Sequence, residues 1–407
     1  MRPMRRASLD LAFLAALTLL TNFLYFAYSN GDFFFPDSAT YIEPARSMLA
    51  GRGFLRANGI IETFRTPGYP LFLMLFRSFT AVVVVQHLMN VALAMAIYLF
   101  ARQRFSRGVA IAAGILFALD TPTIHYGNKV LTETLFTAGL FALLWLVLRP
   151  RSNMLIAGLL VGALVLVRPA AILYFVVIAI VFMRRKRIAV FVIASLLLPL
   201  GWAMRNKVRT GVFAISDVAG INMLLHRAAP SLAIFDDYDF ADALKDRQDE
   251  LVADADTEIE RTLDIGSAGD LNPAQHAMWF GKIGRRVALR HPLGLATVLV
   301  RGIGVNLFDT DAEALTMVSS VPPTLLQIAL DVWTHAITLF ALFGTLLLWK
   351  RDRTLSLLFA LTIAYFVLIS AGSEAESRFR VPIVPILAIS AAIGAGAIRR
   401  AAVPDSR

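Results

Sequence analysis

The segment Phe33-Phe34-Phe35-Pro36-Asp37-Ser38-Ala39-Thr40-Tyr41 puts a carboxylate just beyond the end of an apolar run at 9–29. At that lipid–water boundary a carboxylate can take the proton from a hydroxyl as the oxygen attacks an electrophilic carbon. Further along, Phe64-Arg65-Thr66-Pro67-Gly68-Tyr69-Pro70 sets a guanidinium on a turn shaped by proline and glycine. That group can grip a phosphate through two hydrogen bonds and neutralise charge on a departing one. Each residue also has a plainer reading. Asp37 can N-cap a helix that starts at Ser38, and Arg65 can snorkel at an interface. Asp32, the rival acid, follows Gly31 and reads as chain punctuation, so Asp37 is the preferred base.

A second set of charges lies at other span ends. Glu133, in Asn128-Lys129-Val130-Leu131-Thr132-Glu133-Thr134-Leu135-Phe136, opens an apolar segment. There it either complements a helix dipole or joins a site that repays its burial. Lys129 is close enough in sequence to share the same anionic ligand. Arg378 and Arg380, in Glu376-Ser377-Arg378-Phe379-Arg380-Val381-Pro382, stand on a short loop before the last apolar run. The set is thus Asp37 as base, Arg65, Lys129 and Arg378 for a phosphate, and Tyr41, Glu133 and Arg380 in support.

No metal site is expected. The six histidines show no paired-ligand spacing, and with no cysteine there is neither a thiol nucleophile nor a thiolate ligand. Asp254-Ala255-Asp256 and Asp309-Thr310-Asp311 match the D-x-D pattern of metal-holding nucleotide-sugar enzymes. That pattern is common by chance, and both copies fall on the side away from cytosolic nucleotides. Gly158-x-x-x-Gly162 reads as helix packing.

The elements that must carry these residues are membrane helices. The 407-residue chain is 57% hydrophobic, with a mean hydropathy of +0.67, which indicates a polytopic membrane protein. Ten spans are expected, at roughly 8–29, 82–101, 108–124, 130–148, 153–167, 170–183, 188–204, 325–349, 354–371 and 381–398. The first reads as a retained anchor, because it is long and lacks a small-x-small cleavage site. The net charge of +10 is spread in short clusters between spans, which argues against nucleic acid. Six of those clusters fall on one side, and the positive-inside rule makes that side the cytoplasm. Both termini are then cytoplasmic. The first outer loop, 30–81, is itself basic but also acidic, and 38–51 within it reads as an interfacial helix. The second outer region contains the acidic stretch 236–264 and an apolar stretch, 292–308, that reads as interfacial or re-entrant. This divides the chain into an N-terminal module (1–204), an outer region (205–323) and C-terminal helices (324–407).

With these residues in view, the chain resembles the GT-C membrane glycosyltransferases. The nearest branch holds protein O-mannosyltransferases, aminoarabinose transferases and lipopolysaccharide-core sugar transferases. Five pieces carry the resemblance: Pro36-Asp37-Ser38-Ala39-Thr40-Tyr41, Arg65-Thr66-Pro67-Gly68-Tyr69-Pro70, Leu131-Thr132-Glu133-Thr134-Leu135-Phe136, Arg205-Asn206 with Gly220-Ile221-Asn222, and Arg378-Phe379-Arg380-Val381-Pro382. It implies a polyprenyl-phosphate sugar as donor, with no cofactor, and transfer to a glycan, lipid or protein acceptor. It further implies inversion by a single displacement without a metal, at the periplasmic face of a bacterial inner membrane. The acid maps to Asp37, the phosphate-binding base to Arg65 and a second outer acid to Glu133. The outer region departs from the pattern, being compact and without a recognisable sugar-binding domain. Two alternatives are a transporter or flippase of lipid-linked sugars, which should show repeats and midplane charges, and an O-antigen polymerase or ligase, which should carry basic residues in a large late loop.

Overall fold

A computed structural model describes residues 2–310 and 322–402, and their regular structure is helical apart from one bridge between Leu55 and Ile61. The N-terminal half holds α1 (Arg2–Tyr28), α2 (Ser38–Leu49), α3 (Gly68–Leu73), α4 (Phe79–Arg102), α5 (Arg107–Ala118), α6 (Thr121–Gly127), α7 (Glu133–Val147), α8 (Met154–Val167), α9 (Tyr174–Val181) and α10 (Ile188–Thr210). Then come α11 (Val218–Met223), α12 (Ala229–Ala233), α13 (Phe240–Leu263), α14 (Pro273–Arg290) and α15 (Pro292–Phe308). The chain closes with α16 (Pro323–Arg351), α17 (Arg353–Ile369), a 3-10 segment Ser377–Ile383 and α18 (Val384–Ala402).

Local chemistry sets many of these boundaries. Ser78, Ser106, Asp120 and Asn153 each accept a backbone N–H from the first turn of α4, α5, α6 and α8 and so satisfy donors that a helix start leaves free. The helix expected at 38–51 is present as α2, and the acidic stretch forms α13.

Apolar helices occupy all ten expected span positions, but their lengths differ. Five are long and apolar enough to cross a membrane: Arg6–Tyr28, Phe79–Arg102, Ile188–Thr210, Pro323–Arg351 and Ser377–Arg399. α5 and α6 together form a pair bent by 51°, whereas α7, α8, Pro169–Val181 and α17 have only 10–17 residues. At 1.5 Å per residue such helices fall short of a ~30 Å hydrocarbon core. The segment 292–308 is α15, which meets α14 at 103°.

One apolar core draws on α1, α4, α5, α7–α10 and α16–α18, so helices from both ends of the chain share it. Gly158 presses on α10 so closely that a Cβ there would lie 2.4 Å from the Phe191 carbonyl oxygen, in keeping with the packing role of that motif. A smaller core, including Tyr41, Tyr69, Val130, Leu131 and Val381, lies beneath the first loop. It joins α2 and α3 to the start of α7 and to the segment before α18, the four places that bear the charges of interest.

Candidate active site

Asp37 sits at the N-cap position of α2, but its carboxylate makes no capping bond. Ser38 Oγ instead accepts the backbone N–H of Phe35, at 2.9 Å. The Asp37 carboxylate is spent elsewhere: Oδ1 lies 2.6 Å from Arg65 Nη2, and Oδ2 accepts from Arg378 Nη1 at 2.9 Å. The capping reading of Asp37 therefore fails.

Arg65 is held by a turn more elaborate than its Pro-Gly pair suggests. Glu62 Oε1 accepts the backbone N–H groups of Phe64 and Arg65 at 2.5 and 3.0 Å. Arg205 in turn donates to the backbone oxygens of Glu62 and Phe54, while Asn206 donates to Ala214 and Ile215. The Arg205-Asn206 pair is thus a clasp on the loop that carries Arg65. The Arg65 guanidinium donates Nε–H to Thr40 Oγ1 (2.8 Å) and lies between the rings of Tyr41 and Phe64, at 4.4 and 4.5 Å. Gly68 is required by proximity, since a Cβ there would stand 2.6 Å from the Leu166 carbonyl oxygen. Its absence lets the turn rest on the end of α8, where Arg168 emerges.

Arg378 comes from the 3-10 segment Ser377–Ile383. Asp309 Oδ2 accepts the Ser377 N–H at 2.8 Å, and Arg380 donates to the carbonyls of Leu307 and Asp309. Arg380 therefore braces the segment and Asp309 anchors it; Asp311, its partner in the D-x-D match, lies outside the described residues. The Arg378 guanidinium lies near the rings of Phe35 and Phe379, with Nε 2.7 Å from Glu376 and 3.5 Å from Glu133. Glu133 is the first residue of α7, only 2% exposed, and accepts from Arg168 Nη1 at 3.0 Å.

The structure thus brings together Asp37, Arg65, Arg378, Glu133 and Tyr41. Lys129 is engaged in a separate pair, its Nζ 2.6 Å from Asp32 Oδ2 and 3.1 Å from the Asp32 carbonyl. Sequence reasoning missed Arg168, Glu376 and Thr40. Arg168 carried a usable signal: it is a cation on a connection expected outside, where the positive-inside rule places few. Glu376 and Thr40 carried none.

Three carboxylates (Asp37, Glu133, Glu376) face three guanidinium groups (Arg65, Arg168, Arg378), so the cluster is neutral when all are ionised. Burial alone would raise the Asp37 carboxyl, but Arg65 and Arg378 prevail and hold it below the ordinary range. Burial pushes Glu376 the other way, with Glu133 and Asp37 adding to it against the pull of Arg378. Among the described residues, no group of three or more His, Asp or Glu side chains is arranged to hold a metal ion.

Two cavities are lined in part by residues adjoining Asp37 and Arg65 in the chain. One of about 330 Å³ is mostly apolar, lined by Phe34, Phe35, Ala39, Ile42 and Phe79 together with Ser38, Glu43 and Arg46. The other, about 360 Å³, is lined by Thr40 and Phe64 and by Arg56, Asp217, His276 and Phe280. In the second, Asp217 accepts from Thr63 Oγ1 and lies 3.6 Å from Arg56. Burial still holds its carboxyl above the usual range.

No family model matches the chain, and no curated protein sequence does. Among solved structures it is similar to the apo oligosaccharyltransferase of Archaeoglobus fulgidus, at 13% identity and a TM-score of 0.50 over 98% of this chain and 52% of that one. The same archaeon's AglB, in complex with an inhibitory peptide and a dolichol-phosphate, gives 14% identity and 0.48 over 97% and 52%. ArnT from Cupriavidus metallidurans bound to undecaprenyl phosphate gives 15% and 0.38 over 93% and 78%. The chain spans about half the length of the oligosaccharyltransferase, and at such identities the likeness is one of fold. The helical fold that carries Asp37, Arg65 and Arg378 is thus one shared with the apo oligosaccharyltransferase.

Proposed function

We propose that this protein is a membrane glycosyltransferase that moves a sugar from a polyprenyl-phosphate donor to a hydroxyl of a glycan, lipid or protein acceptor. One observation carries the reading. A partly exposed carboxylate at a helix start is held by two convergent guanidinium groups, and no capping duty accounts for its position. Those groups supply the two functions that sugar transfer from a phosphate needs, a proton acceptor and charge neutralisation on the leaving group.

In this scheme the acceptor oxygen bonds to the anomeric carbon as the bond from that carbon to the phosphate oxygen breaks. The hydroxyl proton passes to Asp37, and the bonding pair leaves with the polyprenyl phosphate, whose charge meets Arg65 and Arg378. A single displacement inverts the anomeric centre, and none of these steps calls on a metal. The apolar cavity beside Phe34 and Phe35 suits the first isoprene units of the donor. The cavity lined by Thr40 and Phe64, with aromatic and polar walls, suits the acceptor. Basic clusters on the opposite ends of the spans favour an outer, periplasmic location for the site.

The test is lipid and glycan mass spectrometry of a deletion strain carrying the wild-type gene, the Asp37→Asn gene or an empty vector. The expected result is one sugar missing from one envelope product in the empty-vector strain, restored by wild type and not by Asp37→Asn. Restoration by Asp37→Asn at more than about a tenth of the wild-type level would place the base elsewhere, since general-base catalysis contributes ~10²–10⁴-fold.

A further inference from the structure

The two guanidinium groups around Asp37 form an anion seat that is complete without Asp37. Arg65 is fixed by Thr40 and by the rings of Tyr41 and Phe64. Arg378 is fixed by Glu376 and Glu133 and by the rings of Phe35 and Phe379, and Arg168 backs Glu133. The side chains of Arg65 and Arg378 are 12% and 13% exposed, whereas that of Asp37 is 32% exposed. The carboxylate is therefore the most solvent-accessible member of the triad, and among the described residues its only hydrogen-bond or ion-pair partners are the two arginines. It presents two oxygens, one to each guanidinium, as the two free oxygens of a phosphodiester would.

We propose that Asp37 is an internal competitor for the donor's phosphate: in the donor-free protein it occupies the seat, and a bound phosphodiester displaces it. The inference rests on the function proposed above and adds a coupling to it. With Asp37 ionised the cluster is neutral, and once Asp37 swings out the seat has a net positive charge for the incoming anion. While held by both arginines, Asp37 is a poor proton acceptor, because their charge keeps its carboxyl below the ordinary range. Loss of those contacts and the arrival of phosphate charge both favour protonation of Asp37. The base would thus gain strength only when the donor is in place, and an empty site would not activate a hydroxyl idly.

The experiment measures binding of a farnesyl phosphodiester, a probe with one charge at all working pH values, to purified full-length protein in nanodiscs. Asp37→Asn and Asp37→Ala should both bind it roughly fivefold or more tightly than wild type, the lower end of typical coupling energies. Asp37→Glu, which restores a competitor, should bind like wild type. A folding defect would weaken binding, so tightening cannot come from damage. Affinity equal to or below wild type in both Asn and Ala variants overturns the competition. In that case loss of sugar transfer by Asp37→Asn would still uphold the proposed function. Unchanged binding in both Arg65→Ala and Arg378→Ala would instead remove the phosphate site on which both readings depend.

Discussion

Replacing Arg65 gives the sharpest test of the phosphate site, because its surroundings allow the loss to be divided. In Arg65→Ala the phosphate loses one charge-assisted contact, worth ~1.5–3 kcal/mol. At 1.36 kcal/mol per tenfold, that is a drop of roughly 10- to 150-fold in kcat/KM for the donor. Folding should suffer less, since Asp37 keeps Arg378 and the turn is held by Glu62 and Arg205 rather than by the guanidinium. Arg65→Lys restores the charge but not the planar fork. It forfeits the hydrogen bond to Thr40 and weakens the ring contacts with Tyr41 and Phe64. Those losses together come to ~1–1.4 kcal/mol, leaving Lys roughly five- to tenfold below wild type. The assay is initial rate at limiting donor, using the lipid-linked sugar identified from the deletion strain, with thermal unfolding of each purified variant as the folding control. If Arg65→Ala stays within about threefold of wild type under those conditions, the residue is an interfacial anchor and the phosphate binds elsewhere.

Glu133→Gln removes the buried charge shared by Arg168 and Arg378 and should destabilise the protein by ~3–5 kcal/mol, and Arg168→Gln added to it should recover part of that loss; additive effects in a double-mutant cycle of thermal unfolding would deny the coupling. Lys129 is committed to Asp32, so Lys129→Met should leave donor kcat/KM within about threefold of wild type, and a larger loss with the fold intact would bring Lys129 into the phosphate site. Topology is testable in this cysteine-free chain at three exposed positions. Asn58→Cys and Ser267→Cys should react with an impermeant maleimide on cells whose outer barrier is opened, and Ser106→Cys only after lysis. The reverse pattern would put the site in the cytoplasm.

Much of this molecule is written in short stretches of sequence. Hydropathy over about twenty residues sets where apolar helices form. Single residues such as Ser78, Asp120 and Asn153 set where they begin, because a cap acts only on the backbone of its own first turn. The same local reading put Asp37, Arg65, Glu133 and Arg378 on turns, loops and span ends. It could not tell which charges meet. Asp37 and Arg378 are 341 positions apart, and their encounter depends on how α2 and the segment before α18 pack over one small core. Equally, no local rule separates Arg378, which faces the site, from Arg380 two residues on, which braces carbonyls of Leu307 and Asp309. Arg168 gains its partner only through tertiary packing, where the close approach at Gly68 and the burial of Glu133 bring it to that carboxylate. Helix positions follow from the solvation and backbone needs of neighbouring residues. The site follows from which buried charges the packed helices leave to neutralise one another, and only the tertiary structure decides that.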